Sequence, residues 1–155
     1  MPLLAKEDQD FIRKKFEQEL EGDVTLVLFR SGGSKLTIPG RPEQRGADYS
    51  DETEELLHDL EELSPKIKVQ VYSMYADKDM VERFQIDRTP AIAFLSNEKD
   101  VGIRFFGIPS GYEFGALLED IIDVSKGKNR LSASTKTQLA SIEKDVVIKV
   151  FTTPT

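Results

Sequence analysis

The chain has no cysteine and no tryptophan among its 155 residues, and His58 is its only histidine. Without cysteine it has no thiolate nucleophile, redox thiol, disulfide bond or thiolate metal ligand of its own. A single histidine leaves little for a Ser-His-Asp triad or a histidine-rich metal site. We therefore predict no catalytic residue, no cofactor and no metal within this chain.

Long apolar runs and an excess of positive charge are also missing. No stretch approaches the roughly 18 apolar residues that suggest a membrane span, and the N-terminus becomes charged at Lys6 without a signal-peptide core. The net charge of -7 argues against a surface that follows nucleic-acid phosphates. We expect a cytoplasmic protein that binds neither membrane nor nucleic acid.

What is present is the ordinary composition of a folded domain, with 39% hydrophobic and 32% charged residues. Apolar residues at helical spacing predict four helices, and short β-branched or alternating runs predict four strands. The predicted helices are 6–20, Ser50 (as N-cap) to before Pro65, 77–84 and 112–124. The predicted strands are 24–29, 67–72, 91–95 and 101–106.

The last part of the chain has a pattern of its own. A polar link at 125–132 precedes a predicted helix at 134–142 and a predicted buried strand at 146–151, with the sequence VVIKVF. No partner strand follows it. This pattern indicates either the first strand of a further folded unit or an added edge strand.

Several motifs carry a resemblance to a known family. They lie at 84–90 (FQIDRTP), 104–114 (RFFGIPSGYEF), 118–127 (LEDIIDVSKG) and 145–155 (DVVIKVFTTPT). These segments resemble the protein disulfide oxidoreductases of thermophiles, tandem glutaredoxin-like proteins with two thioredoxin-fold units in one chain. The N-terminal domain of the alkyl hydroperoxide reductase flavoprotein is similar too, since it also joins a cysteine-free unit to an active one.

The resemblance implies a thioredoxin-like α/β fold, a mixed sheet with helices on both faces, in which Thr89-Pro90 is the cis-proline. It divides the chain into a unit at 1–127 and, at 128–155, a linker, helix and first strand of a second unit. The family's first Cys-X-X-Cys would fall near Ala47 and Ser50, both non-cysteine here. The second would begin directly after Thr155.

Two functions follow as hypotheses. In the first, the chain is the non-catalytic N-terminal half of a disulfide oxidoreductase, with a role in redox homeostasis and a second unit of the same chain as partner. In the second, it is a stand-alone peptide-binding or adaptor module with no redox role, and residues 146–151 pair within one compact monomer. Under the first hypothesis the strand 146–151 lacks its natural sheet, which chain exchange or a homodimer would supply. Both assign a peptide groove to Arg88, Thr89, Pro90, Ile108 and Pro109.

Two polar segments were also considered as binding or catalytic sites, and their sequences favour other interpretations. The loop 31–49 contains glycines and the basic residues Arg41 and Arg45, but it lacks the spacing of a phosphate-binding loop. We expect it to be a remodelled active-site loop rather than a nucleotide or anion site. The acidic residues between Asp51 and Glu62 alternate with leucines, which favours a solvated helix face over a metal or acid-base site, and His58 is expected on that surface.

Overall fold

The computed structural model describes residues 3–31 and 49–152. Each of the four predicted helices and four predicted strands is present, with its ends shifted by a few residues. None of the helices in these two ranges is both long and apolar enough to cross a bilayer. The elements are α1 (Lys6–Glu19), β1 (Val24–Arg30), α2 (Ser50–Leu63), β2 (Ile67–Ser73), α3 (Lys78–Phe84), β3 (Ala91–Ser96), β4 (Lys99–Phe106), α4 (Tyr112–Lys126) and α5 (Ala133–Leu139).

The strands form one sheet in the order β2-β1-β3-β4. β1 runs parallel to β2 and antiparallel to β3, and β4 pairs antiparallel with β3. The central strands β1 and β3 are the apolar ones because both of their faces are covered, whereas the edge strand β2 alternates. The predicted mixed α/β sheet is confirmed.

Helices cover both faces of this sheet. On one face α1, α2 and α4 pack against β1 and β3 around Phe16, Leu57 and Ile121. On the other face, among the helices of the described ranges, α3 places Phe84 against Phe29, with ring centroids 5.5 Å apart. Val27, Phe29, Ala91 and Ala93 on this second face are buried as well.

Two details of the helices differ from the sequence predictions. Ser50 is the first residue of α2, and Tyr49 holds the N-cap position without a side-chain hydrogen bond. Ser50 is instead turned inward, where its Oγ accepts a hydrogen bond from the Ser31 amide at 3.4 Å. The apolar residues of 6–20 were expected on the inner face of α1, but Phe11 is 65% exposed, whereas Ile12, Phe16 and Leu20 are buried.

The predicted strand at 146–151 is not formed within this structure, so an added edge strand of this sheet is excluded for the described residues. Helix α5 ends at Leu139, three residues before its predicted end, and residues 146–151 run outside any strand. A β-strand needs a hydrogen-bonded neighbour, and no strand within the described residues pairs with this segment. Its apolar side chains are consequently exposed.

The connection between α1 and β1 packs closely on the end of α4. The Gly22 amide donates to the Ser125 carbonyl oxygen at 3.0 Å, and the Glu21 amide donates to Ser125 Oγ at 3.3 Å. A Cβ on Gly22 would lie 2.9 Å from that same carbonyl oxygen. Glycine is therefore required here by the close approach of two backbones.

We expect Gly22→Ala to lower the free energy of unfolding by about 1–3 kcal/mol, because α4 must move away from the α1–β1 connection. Urea denaturation measures the change. Gly115→Ala is the matched control, since a Cβ there meets open space within α4 and alanine favours helix by roughly 0.5–1 kcal/mol. Equal effects of the two substitutions would contradict the proposed contact.

Candidate functional site

The candidate site lies at one end of the sheet. Strand register brings together the end of β1, the end of β2, the start of β3 and the end of β4: Arg30 pairs with Ser73, and Ala91 pairs with both Phe29 and Phe106. We call this the proline end, because Pro90 directly precedes β3. In a mixed sheet of this order, loops from separate parts of the chain meet there.

The start of α2 at the proline end is occupied by an ionic cluster. The Arg30 guanidinium, at the end of β1, pairs with the carboxylates of Asp51 and Glu54 in the first turns of α2. Carboxylates are favoured at a helix N-terminus, and charge-assisted bonds of this kind are stronger than neutral ones. Arg30 thereby joins the central strand to the helix.

Chemically, this helix start cannot carry out thiol exchange. Ser50, one of the two positions implied for the first Cys-X-X-Cys, is 3% exposed, and Ala47 lies outside the described residues. Exchange needs a thiolate as nucleophile and a second thiol to resolve the mixed disulfide. A buried serine hydroxyl supplies neither.

The predicted groove residues are brought together at the proline end. The Thr89-Pro90 peptide bond is cis, the conformation that the resemblance implied. The Pro90 carbonyl accepts a hydrogen bond from the Gly107 amide at 2.9 Å, which places Ile108 and Pro109 beside it. Pro90 and Pro109 are buried and Thr89 and Ile108 half-buried, so only Arg88 of the predicted set is fully exposed.

Arg88 is held in place by its neighbours. Its Nε and Nη2 donate to the two carboxylate oxygens of Asp87 at 2.8 and 2.9 Å, and its guanidinium lies 5.6 Å from the Phe106 ring centroid. The hydrogen bonds from Arg88 lower the pKa of Asp87. The proline end thus carries an exposed ion pair whose guanidinium lies over an aromatic ring.

Arg104 fixes β4, which forms one wall of this end, to α3. Its Nε donates to the Phe84 carbonyl at 2.9 Å, its guanidinium lies 5.2 Å from the Phe84 ring centroid, and Nη1 donates to Asp100 Oδ1 at 2.8 Å. The hydrogen bonds from Arg104 hold the pKa of Asp100 below its usual range. Sequence reasoning missed this network, because nothing in the spacing links residues 84, 100 and 104.

The acidic face of α2 does more than contact solvent. Asp59 accepts the amides of Leu3 and Leu4 at 2.7 and 3.1 Å, and Glu61 accepts the Val69 amide of edge strand β2 at 2.8 Å. His58 is exposed, as predicted, and lies 2.9 Å from Glu61. Within 3–31 and 49–152, no three His, Cys, Asp or Glu side chains are grouped so as to hold a metal ion.

The chain is similar in sequence and structure to several known proteins. No protein-family model matches the chain. The chain is 30% identical to the alkyl hydroperoxide reductase protein AhpF of Staphylococcus epidermidis over 124 residues, which are 80% of this chain and 19% of that protein. It is 28% identical to the Staphylococcus aureus AhpF over 96 residues, 62% of this chain and 17% of that protein.

Solved structures with a similar fold belong to the same kinds of protein. A protein disulfide oxidoreductase from Aeropyrum pernix superposes with a TM-score of 0.70 at 27% identity, covering 88% of this chain and 54% of that one. The NTD_N/C domain of AhpF from Enterococcus faecalis gives a TM-score of 0.73 at 21% identity, covering 91% and 62%. The chain is a thioredoxin-like unit. The predicted thioredoxin-like fold is confirmed, and so is the relatedness to protein disulfide oxidoreductases and to AhpF. Both agree with the prediction of an N-terminal thioredoxin-like unit that has no cysteine.

We expect the pH dependence of stability to report on Asp100. Because its pKa is depressed in the folded state, its ionised form stabilises the fold above the unfolded-state pKa of about 4, and this contribution is lost as the pH falls through the folded-state pKa. Asp100→Asn should therefore be less stable than the parent near neutral pH, with the difference shrinking in acid. Urea denaturation as a function of pH tests this, with the exposed Asp79→Asn as control. A difference that stays constant into acid would refute it.

A double-mutant cycle tests the Arg30 cluster. We expect Arg30→Met and Glu54→Gln to show a coupling of about 1 kcal/mol in the free energy of unfolding, because both side chains are three-quarters buried. Arg30→Met with the exposed neighbour Glu52→Gln is the matched control and should show coupling near zero. Equal coupling free energies in both cycles would mean that Arg30 interacts with the overall negative charge of α2 and not specifically with Glu54.

Proposed function

We propose that this thioredoxin-like unit is the redox-inactive N-terminal half of a cytoplasmic protein disulfide oxidoreductase, whose cysteine pair lies in a second unit beyond Thr155. The chain spans 54% of the Aeropyrum pernix oxidoreductase it resembles and less than a fifth of the staphylococcal AhpF proteins. That leaves room in each relative for further domains. The role we assign is to supply stability, an interface and a groove to the catalytic unit.

The observation that carries this proposal is the exposed C-terminal segment. Five apolar residues, Val146, Val147, Ile148, Val150 and Phe151, are each 63–85% exposed. A run of β-branched residues at this exposure is an aggregation hazard unless a sheet covers it. A second sheet, with this segment as its first strand, supplies that cover.

The division of the chain at 127/128 belongs to the same proposal. Helix α4 closes the first unit and ends at Gly127 in the left-handed conformation, with φ 58°, a typical helix stop. Helix α5 beyond it has no buried residue. Residues 128–152 thus make little contribution to the first core, which supports assigning 128–155 to a linker and the start of a second unit.

The second candidate is a stand-alone peptide-binding or adaptor module. It is favoured by the groove, where Arg88 and Thr89 leave polar groups accessible beside Pro90. This candidate expects 146–151 to pair with the sheet of one compact monomer. Such pairing within the monomer is absent from the described residues, so we rank this candidate second.

The intact mass and thiol count of the native gene product, purified from its source, separate the two candidates. We expect a product of roughly twice the 17.5 kDa of this chain, with a thiol pair directly after Thr155. Mass spectrometry before and after alkylation measures both quantities. A thiol-free product ending at Thr155 would rule out the oxidoreductase and leave the binding module.

A further inference from the structure

The edge strand β2 turns every second amide away from the sheet. The Val24 amide of β1 donates to the Lys66 carbonyl at 2.8 Å. The Met74 amide donates to the Arg30 carbonyl at the same distance, so the even-numbered residues of β2 face β1 and the odd-numbered residues face outward. The outward amides are those of Ile67, Val69, Val71 and Ser73. The first of them is already bonded to the Ser64 carbonyl of the preceding turn, at 3.1 Å.

Two of these outward amides are bonded to carboxylates. The Val69 amide donates at 2.8 Å to Oε1 of Glu61, in the last turn of α2. The Ser73 amide donates at 2.7 Å to Oδ2 of Asp77, the residue before α3. Hydrogen bonds to an ionised acceptor are stronger than neutral ones. A strand that approached this edge would have to displace both carboxylates before it could pair with β2.

The opposite edge of the sheet has a different kind of protection. The pairing of β4 with β3 shifts register between Ala93 and Leu95, and Gly102 in this part of β4 has φ 80°. Irregularities of this kind interrupt the ladder and turn an edge away from strand addition. β2 pairs with β1 in unbroken register. It is therefore the regular edge, and its protection depends on the two side chains.

A segment suited to such pairing is present in the same chain. Five apolar residues of 146–151 are 63–85% exposed, and the segment lies outside any strand. Exposed segments of this composition add to unpaired sheet edges of neighbouring molecules. We propose that Glu61 and Asp77 close the β2 edge against strand addition, and that the strand they exclude is segment 146–151 of a second copy. This inference goes beyond the proposed function, because it concerns this chain whatever follows Thr155.

Self-association of two double variants tests the closure. Glu61→Ala/Asp77→Ala removes both acceptors, whereas Glu61→Gln/Asp77→Asn removes the same two charges but keeps an amide oxygen at each position. We expect the alanine variant to self-associate at a concentration at least about tenfold lower than the parent and the amide variant. Sedimentation velocity over a concentration series measures this. Equal association of the two variants, or no association of the alanine variant, would overturn the proposal.

The identity of the excluded strand is tested by a further substitution in the alanine variant. Ile148→Pro removes a backbone donor from the middle of 146–151, at a residue that is 82% exposed and outside any helix or strand. We expect this substitution to return self-association to the parent level. Ile148→Val, which keeps the donor, is the matched control and should leave the association unchanged. Association that persists with proline would overturn the assignment of 146–151 as the excluded strand.

Hydrogen exchange of single variants tests the Glu61 contact without relying on the double variant. In Glu61→Ala we expect the Val69 amide to exchange at least about tenfold faster, while the Lys68 amide, which faces β1, is unchanged. Glu61→Gln should preserve slow exchange at Val69. Residue-resolved exchange by NMR at low protein concentration measures both rates. Equal acceleration at the two amides would indicate general destabilisation and would overturn the role of Glu61 in closing the edge.

Discussion

Burial of β1 is the constraint on which the other elements depend. Val24–Phe29 pairs with a strand on each side, and its side chains alternate between the two cores, Leu26 and Leu28 toward α1, α2 and α4 and Val27 and Phe29 toward α3. Burying several Leu, Val and Phe side chains in this way contributes about 1.5–3 kcal/mol each. Because β1 is held from both sides, the positions of its ends are fixed. Its last residue, Arg30, therefore lies beside α2.

The candidate site is a consequence of that arrangement. Because β1 and β2 run parallel and β3 returns antiparallel, Arg30, Pro90 and Phe106 must meet at one end. In this chain the helix start at that end carries Arg30 paired with Asp51 and Glu54. A partial positive charge that could acidify a thiol in a redox-active relative is here offset by carboxylates. The chain therefore combines a thioredoxin-like fold with a sequence that contains no cysteine.

Most of the fold could be predicted because periodicity and core burial have the same physical origin. The leucine stripe of α2 and the apolar run of β1 are buried as their spacing indicated. The prediction of Ser50 as an N-cap was wrong, because a local sequence pattern cannot show that the Ser31 amide donates a hydrogen bond to the Ser50 hydroxyl. The roles of Asp59 and Arg104 were missed for the same reason, since hydrogen bonds between residues distant in sequence leave no periodic signal.

The segment 146–151 shows where a pattern stops being sufficient. VVIKVF has the composition of a buried strand, but strand formation depends on a neighbour, and β1 already has partners on both sides. Within the described residues the edges of the sheet are β2 and β4, and in β2 the Val69 amide already donates to Glu61. The contact of Thr152 with Glu113 instead carries the segment toward the proline end. No strand of the described residues pairs with this apolar segment, and that is the observation behind the proposed second unit.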